Sequence, residues 1–194
     1  TGDGHARMVA ALAAIAREAH ETNPYTGEAQ ARPFRALVAD PRFALAPRLH
    51  WSHLRTLAGH ELRLGETESA LRHAEEAAAL LPKLEGKISA DDVDRTQLEL
   101  AVAALRWGES QNCVARHSSE SCILPIRGAG VHQDQEGSRR GIAALEALLA
   151  RRPDHLVARW LLNIAAMTVG EYPDGVPPQY RIPPSVFESA ALAA

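Results

Sequence analysis

The fold of this chain is decided by residues 70–82, ALRHAEEAAALLP, and residues 141–153, GIAALEALLARRP. The two segments align without a gap, and both end in proline. Their apolar residues recur at spacings of three and four, which places them on one face of a helix. The matched apolar positions are Leu71 with Ile142, Ala74 with Leu145, and Ala77 with Leu148.

A second pattern precedes three Gly-Glu pairs, whose glycines are Gly65, Gly108 and Gly170. Each pair is expected to close a helix, and the first two of these helices precede the two aligned segments. A helix pair that ends in proline resembles the tetratricopeptide repeat. The sequence therefore predicts an all-α fold, a tetratricopeptide-like α-solenoid of antiparallel helix pairs. The matching positions before the three glycines are Leu57, Ala58 and Leu62, then Leu100, Ala101 and Leu105, then Leu162, Asn163 and Met167.

Composition agrees with a helical core. The chain has 194 residues, 46% of them hydrophobic and only 5% aromatic. That length can bury one sizeable core, and a core of Ala, Leu, Val and Ile suits close-packed helices better than a sandwich of strands.

Three regions are predicted: N-terminal helices and a linker in residues 1–46, helical repeats in residues 47–170, and a proline-rich extension in residues 171–194. The interval from Gly108 to Pro153 is much longer than the matching interval from Gly65 to Pro82. We therefore expect an insertion at residues 109–136.

Charge and hydropathy exclude several classes of partner. The formal net charge is -3, from 21 basic and 24 acidic residues that are spread along the chain. Nucleic-acid binding is not expected, because a basic stripe and aromatic platforms are both missing. No apolar run is long enough to cross a bilayer, and the first residues lack the apolar core of a signal peptide.

Chemistry-bearing side chains concentrate in the insertion, which contains Cys113, His117, Cys122 and His132. Two thiolates and two imidazoles could bind zinc or copper. The spacing differs from structural zinc sites, whose ligands come in pairs two to four residues apart. A metal site is therefore one of several interpretations.

The alternatives use the cysteines differently. A Cys113–Cys122 disulfide would close a short loop and stabilise the fold by roughly 2 to 3 kcal/mol. Both thiols could instead be buried and inert, or one could be a nucleophile that His117 activates. Because the chain has no recognisable catalytic motif, we assign no catalytic residue and favour a non-enzymatic role.

Local patterns give further expectations. Ser89 and Asp92 resemble a capping box, and Asp40-Pro41 looks like a helix start. An N-terminal apolar stripe includes Met8, Leu12, Ile15 and Ala19. Two tryptophans, Trp51 and Trp160, are expected to be packing anchors, and His73 is expected at the surface.

Three stretches resemble a known family: HSSESCILPIRGAGVHQDQEG (117–137), ARWLLNIAAMTVGEYPDGVP (158–177) and RIPPSVF (181–187). Their order is similar to the N-terminal helical region of bacterial ASPIC/UnbV proteins, which are cartilage-acidic-protein-like. The resemblance implies FG-GAP propeller repeats downstream and an exported, extracytoplasmic protein, and it favours the disulfide over free thiols. It implies no catalytic residue in the helical part.

Together these patterns favour a scaffold or assembly module that binds another protein or its own downstream propeller, with no resident cofactor. An extended surface of stacked helix pairs suits such recognition. The rival interpretation is a metal-binding or redox module that holds copper or zinc through Cys113, His117, Cys122 and His132. The sequence does not predict an oligomeric state.

Overall fold

A computed structural model describes residues 2–23, 27–121 and 123–187. Within these ranges the regular structure is helical and no residue lies in a strand, which confirms the all-α prediction. The α-helices are α1 (Gly2–Thr22), α2 (Ala31–Ala39), α3 (Pro41–Ala44), α4 (Pro47–Leu64), α5 (Thr67–Ala79), α6 (Ala90–Glu109), α7 (Glu136–Arg151) and α8 (Leu156–Thr168).

Consecutive helices from α4 to α8 pack against one another, and α2 packs against α4. The core is a series of local clusters. One lies among α4, α5 and α6 and includes Leu71 and Ala74, and another lies among α6, α7 and α8 and includes Leu145 and Leu148. The two aligned segments therefore bury the positions that the sequence matched.

Helix boundaries follow from local chemistry. The Ser89 hydroxyl accepts a hydrogen bond from the Asp92 amide at the start of α6, and the Asp92 carboxylate accepts one from the Ser89 amide. This confirms the capping box. At the start of α3, Asp40 accepts a hydrogen bond from the Arg42 amide with Pro41 at the first helical position, which confirms that helix start.

Two of the three glycines end helices in the left-handed conformation, Gly65 with φ +80° and Gly170 with φ +74°. Gly108 is not left-handed; it is the next-to-last residue of α6, which ends at Glu109 as the pattern predicts. It lies inside α6, where the start of α7 approaches so closely that a Cβ atom on Gly108 would lie 3.3 Å from the Ser138 amide nitrogen. Gly108 is thus needed for close helix packing.

The proline-rich extension packs against α7 and α8 as far as residue 187. The side-chain amide of Asn163 donates to the Tyr180 carbonyl at 2.9 Å and accepts from the Ile182 amide at 2.9 Å. The Tyr180 hydroxyl donates to the Leu149 carbonyl at 3.0 Å. Asn163 is fully buried, and without these bonds its polar side chain would destabilise the core.

Two expectations about single side chains are wrong. His73 is buried, because its Nδ1 meets the buried Glu61 carboxylate on α4 at 2.7 Å. Trp160 is 41% exposed, so it does not anchor a core. By contrast, Trp51 is buried, and its indole nitrogen donates to the Thr96 hydroxyl at 3.2 Å.

The N-terminal helix α1 forms as its apolar stripe predicts, but the stripe faces outward. Met8, Val9, Leu12 and Ile15 are each 50 to 60% exposed. Every described side chain from Asp3 to Glu18 is exposed, and α1 takes no part in the main interhelical contacts of the described residues. None of the helices in the described ranges is both long enough and apolar enough to cross a membrane.

Candidate functional site

Residues 110–135 connect α6 to α7, and one buried amide organises this connection. A single π-helical turn, Ser110–Val114, extends α6 and buries Asn112. The Asn112 side chain donates to the Asp134 carbonyl at 2.8 Å and accepts from the Gln133 amide at 2.9 Å. Asn112 therefore holds the end of the connection against the end of α6, a role that the sequence analysis missed.

This arrangement brings Cys113 and His132 together. The Cys113 Sγ lies 3.5 Å from His132 Nε2, and the backbone amide of His132 donates to the Thr168 carbonyl at 2.8 Å. Because the His132 ring is only 4% exposed, burial lowers its pKa below the ordinary value. The imidazole is therefore neutral near neutral pH, with one nitrogen directed at sulfur.

The other ring nitrogen of His132 contacts a chain of hydroxyl groups between α7 and α8. His132 Nδ1 lies 2.9 Å from the Ser138 hydroxyl, which lies 2.8 Å from the Thr168 hydroxyl. Thr168 also reaches the Ala165 carbonyl at 2.7 Å. This chain of hydrogen bonds links the His132 ring to both α7 and α8.

The structure accounts for part of the predicted four-residue site. Cys113 and His132 are in contact, whereas His117 is exposed and Cys122 lies outside the described residues. The Cys113–Cys122 disulfide and the four-ligand metal site therefore stay predictions. Among the described residues, no three His, Cys, Asp or Glu side chains form a group that could hold a metal.

A small apolar slot lies between α6 and α8, next to His132. Its volume is about 100 Å³, and Val102, Leu105, Leu161 and Ile164 form its apolar walls. Polar groups at its edge include Arg106 and Glu109, which pair with each other, together with His132 and Thr168. The slot is of the size of one aliphatic side chain.

The exposed side of α8 continues this slot toward the start of the helix. Leu156 is 75% exposed, Val157 is 53% exposed and Trp160 is 41% exposed. Spacings of three and four residues place them on the same side of the helix as the two α8 residues of the slot. We call these five residues, Leu156, Val157, Trp160, Leu161 and Ile164, the α8 face.

A second cleft of about 480 Å³ lies among α2, α4 and α5. Glu61, which is 2% exposed, lies at its base with its carboxylate 2.7 Å from His73 Nδ1 and 3.7 Å from Arg35 Nε. Arg35 also pairs with Glu66 and, at 3.2 Å, with Glu28. These contacts tie three helices together and place Glu61 between Arg35 and His73.

The motifs that suggested a family overlap the connection and the α8 face in part: residues 117–137 include His132, and residues 158–177 include Trp160, Leu161 and Ile164. That resemblance stands on the motifs alone. No protein-family model, curated protein or solved structure matches this chain.

Proposed function

We propose that this chain is a protein-interaction module, a tetratricopeptide-like solenoid that docks another protein through its α8 face. The observation that supports it best is the exposure of Leu156, Val157 and Trp160 beside the apolar slot. The largest apolar patch on an ordinary monomer measures roughly 300 to 600 Å² and often has a binding role. A partly exposed tryptophan is also the side chain most enriched at binding hot spots.

The pattern of packing supports the solenoid part of the proposal. Each helix from α4 to α8 contacts mainly its neighbours in sequence, and α4 also contacts α6. Repeat proteins have this pattern because each helix pair is stabilised by the adjacent pairs and not by distant parts of the chain. The equivalent buried positions of the two aligned segments, such as Ala74 and Leu145, agree with a repeat.

Charge supports a protein partner over other classes. Many arginines of the described residues are paired with carboxylates, for example Arg55 with Glu99 at 2.6 Å and Arg140 with Glu75 at 2.7 Å. A nucleic-acid surface needs unpaired basic groups along one face. The apolar α8 face needs a partner that is itself partly apolar, such as another protein domain.

An affinity experiment tests this function. The tagged wild-type chain and its Leu156→Asp and Val114→Asp variants are each immobilised and incubated with an extract of the source cells. The proteins that each variant retains are then compared. Val114 is the matched control, because it is 79% exposed but lies in the connection after α6. A partner held by the wild type and by Val114→Asp, but not by Leu156→Asp, is expected. Equal retention of the partner by all three proteins would show that the docking site is not on α8.

We further propose that the parent protein is an exported ASPIC/UnbV-type protein and that Cys113 and Cys122 form a disulfide. The quoted motifs support the family, and export would place both cysteines in an oxidising compartment. Intact mass measured after alkylation without reductant tests the pairing. A mass lower by two hydrogens and no alkylation supports the bridge, whereas two alkyl groups on the protein from its native compartment would exclude it.

A metal-binding role is the second candidate, and one distance favours it. Two ligands of a tetrahedral zinc, with Zn–S near 2.3 Å and Zn–N near 2.0 Å, lie roughly 3.5 Å apart, which is the separation of Cys113 Sγ and His132 Nε2. The Ser138 hydroxyl lies at hydrogen-bond distance from the other ring nitrogen, where metal-bound histidines usually have a partner that fixes the ring orientation. His117 and Cys122 would complete the predicted zinc or copper site.

Elemental analysis distinguishes this candidate from the disulfide. Protein purified without added metal is expected to contain one equivalent of zinc or copper if the candidate is right, and the His132→Ala variant should contain none. His117→Ala should retain less metal than the wild type. Metal-free protein that also takes up no zinc after full reduction would rule the candidate out.

A further inference from the structure

We propose that the partner of the α8 face is the α1 helix of a second copy of this chain, exchanged reciprocally in a two-fold symmetric dimer. This inference rests on the proposed function, because it names the protein that docks at that face. It starts from two apolar surfaces that the described residues leave largely exposed, although the Trp160 ring contacts Phe187 and Leu161 packs partly against the core. Met8, Val9, Leu12 and Ile15 form the first, which we call the α1 stripe, and the α8 face is the second.

The α1 stripe requires a partner on energetic grounds. Isolated helices are marginal in water even when they are rich in alanine, and amphipathic helices gain most of their stability from packing. All other long helices of the described residues pack against a neighbour, but α1 does not take part in the main contacts. Its four large apolar side chains nevertheless lie on one side of the helix.

The two surfaces match in length. The α1 stripe runs over eight residues from Met8 to Ile15, or about 10 Å along a helix, and the α8 face runs over nine residues from Leu156 to Ile164, or about 12 Å. The slot between Leu161 and Leu105 can receive one aliphatic side chain. The α1 stripe presents Leu12 and Ile15, which are of that size.

The surface area that would be buried distinguishes a single contact between the α1 stripe and the α8 face from two symmetric contacts. Side chains of this size leave on the order of 100 Å² each in water, so one contact between the α1 stripe and the α8 face buries about 800 Å² in total. Stable interfaces bury about 1,200 to 2,000 Å². A single contact falls short, whereas a reciprocal exchange reaches about 1,600 Å² and closes the assembly with each copy using the same two surfaces.

The positions of α1 and α8 along the chain also favour a reciprocal exchange. The helix α1 comes before the packed series and α8 is its last helix. Two copies lying side by side in opposite directions bring the first helix of each to the last helix of the other. The same pairing then occurs twice about one two-fold axis.

The test measures the oligomeric state of the full chain by sedimentation velocity at concentrations up to roughly 100 μM. The wild type is expected at twice the 21.0 kDa chain mass. Leu12→Asp and Val157→Asp should each sediment as monomers, while the control Leu45→Asp, at a position 86% exposed and outside both surfaces, should remain a dimer. Circular dichroism checks that each variant keeps its helical content.

Two further measurements make the result specific. Mixing a tagged Leu12→Cys chain with an untagged Trp160→Cys chain should give a disulfide between the two different chains, which a fold-back of α1 onto its own α8 cannot produce. A monomeric wild type, a dimer that survives Leu12→Asp, or the absence of a disulfide between the two different chains would overturn the proposal. A monomer that still loses a protein partner on Leu156→Asp would overturn the dimer but leave the proposed function in place.

Discussion

Replacing Gly137 with alanine is expected to destabilise the protein by acting on the contact between α6 and α7. A Cβ atom at residue 137 would lie 2.6 Å from the Gly108 amide nitrogen and 2.7 Å from the Ala104 carbonyl oxygen. Both neighbours are backbone atoms of α6, so they cannot rotate away as a side chain could. The added methyl group therefore forces the two helices apart.

The magnitude follows from two opposing effects. Alanine gains at most about 1 kcal/mol over glycine from helix propensity, whereas forcing a methyl group into a packed contact costs about 1 to 3 kcal/mol. The overlap at residue 137 is with backbone at two points, which places the cost at the upper end of that range. We expect Gly137→Ala to lower the free energy of unfolding by about 1 to 2 kcal/mol.

Gly59 provides the matched control. It is also helical, but a Cβ atom there would have no neighbour within 4 Å. Gly59→Ala should therefore raise the free energy of unfolding by about 0.5 to 1 kcal/mol. The same chemical change is thus expected to have opposite signs at two positions, and the difference isolates packing from propensity.

Urea unfolding followed by far-ultraviolet circular dichroism measures both effects. With a slope of about 2 kcal/mol per molar urea, Gly137→Ala should lower the midpoint by roughly 0.5 to 1 M and Gly59→Ala should raise it slightly. A Gly137→Ala protein as stable as the wild type would refute the close approach of α6 and α7. The repeat packing proposed above would then lose its main support.

Three other predictions concern single side chains. Asn163→Ala should lower stability by about 1 to 3 kcal/mol, because the Ile182 amide loses its acceptor and the Tyr180 carbonyl loses one of its donors, and should speed proteolysis within residues 171–187 relative to the wild type. Leu148→Ala should cost about 2 to 5 kcal/mol in thermal or urea unfolding, whereas Leu45→Ala at an exposed position should change stability by less than about 0.5 kcal/mol. Since burial lowers the pKa of His132, the unfolded chain binds its proton first on acidification, so wild-type stability should fall as the pH drops through the ordinary histidine range toward the folded-state pKa. His132→Gln should show a shallower fall in unfolding free energy between about pH 7 and pH 5, and an identical slope in both proteins would contradict the lowered pKa.

The Cys113 and His132 contact illustrates why part of the site was predictable and part was not. The residue types and their concentration in one segment are visible in the sequence, and they identified the segment as chemically distinct. The sequence suggested His117 as a base for either cysteine and grouped Cys113 with His132 only as part of a four-ligand metal site. The histidine in contact with Cys113 is His132, nineteen positions away. That pairing depends on the hydrogen bonds of Asn112 and on the contact between the connection and α8. Neither produces a periodic pattern in the sequence.

His73 and Gly108 show the same limit for the fold. A histidine in an alanine-rich helix is expected at the surface, but a buried carboxylate on the neighbouring helix makes the buried position favourable. The Gly108-Glu109 pair does end α6, but the sequence does not show that α7 approaches Gly108 closely there. Both outcomes depend on the partner helix and not on local propensity.

The sequence by itself determined the helical class, the caps at Ser89 and Asp40, and the apolar positions that are buried in α5 and α7, because these depend on spacings of three and four residues within one helix. Only the tertiary structure decided which histidine meets Cys113, that Trp160 stays exposed, and that α1 is left without a main packing partner among the described helices. These features depend on which surfaces meet after folding. Periodicity identifies an apolar face, but it does not specify what covers that face.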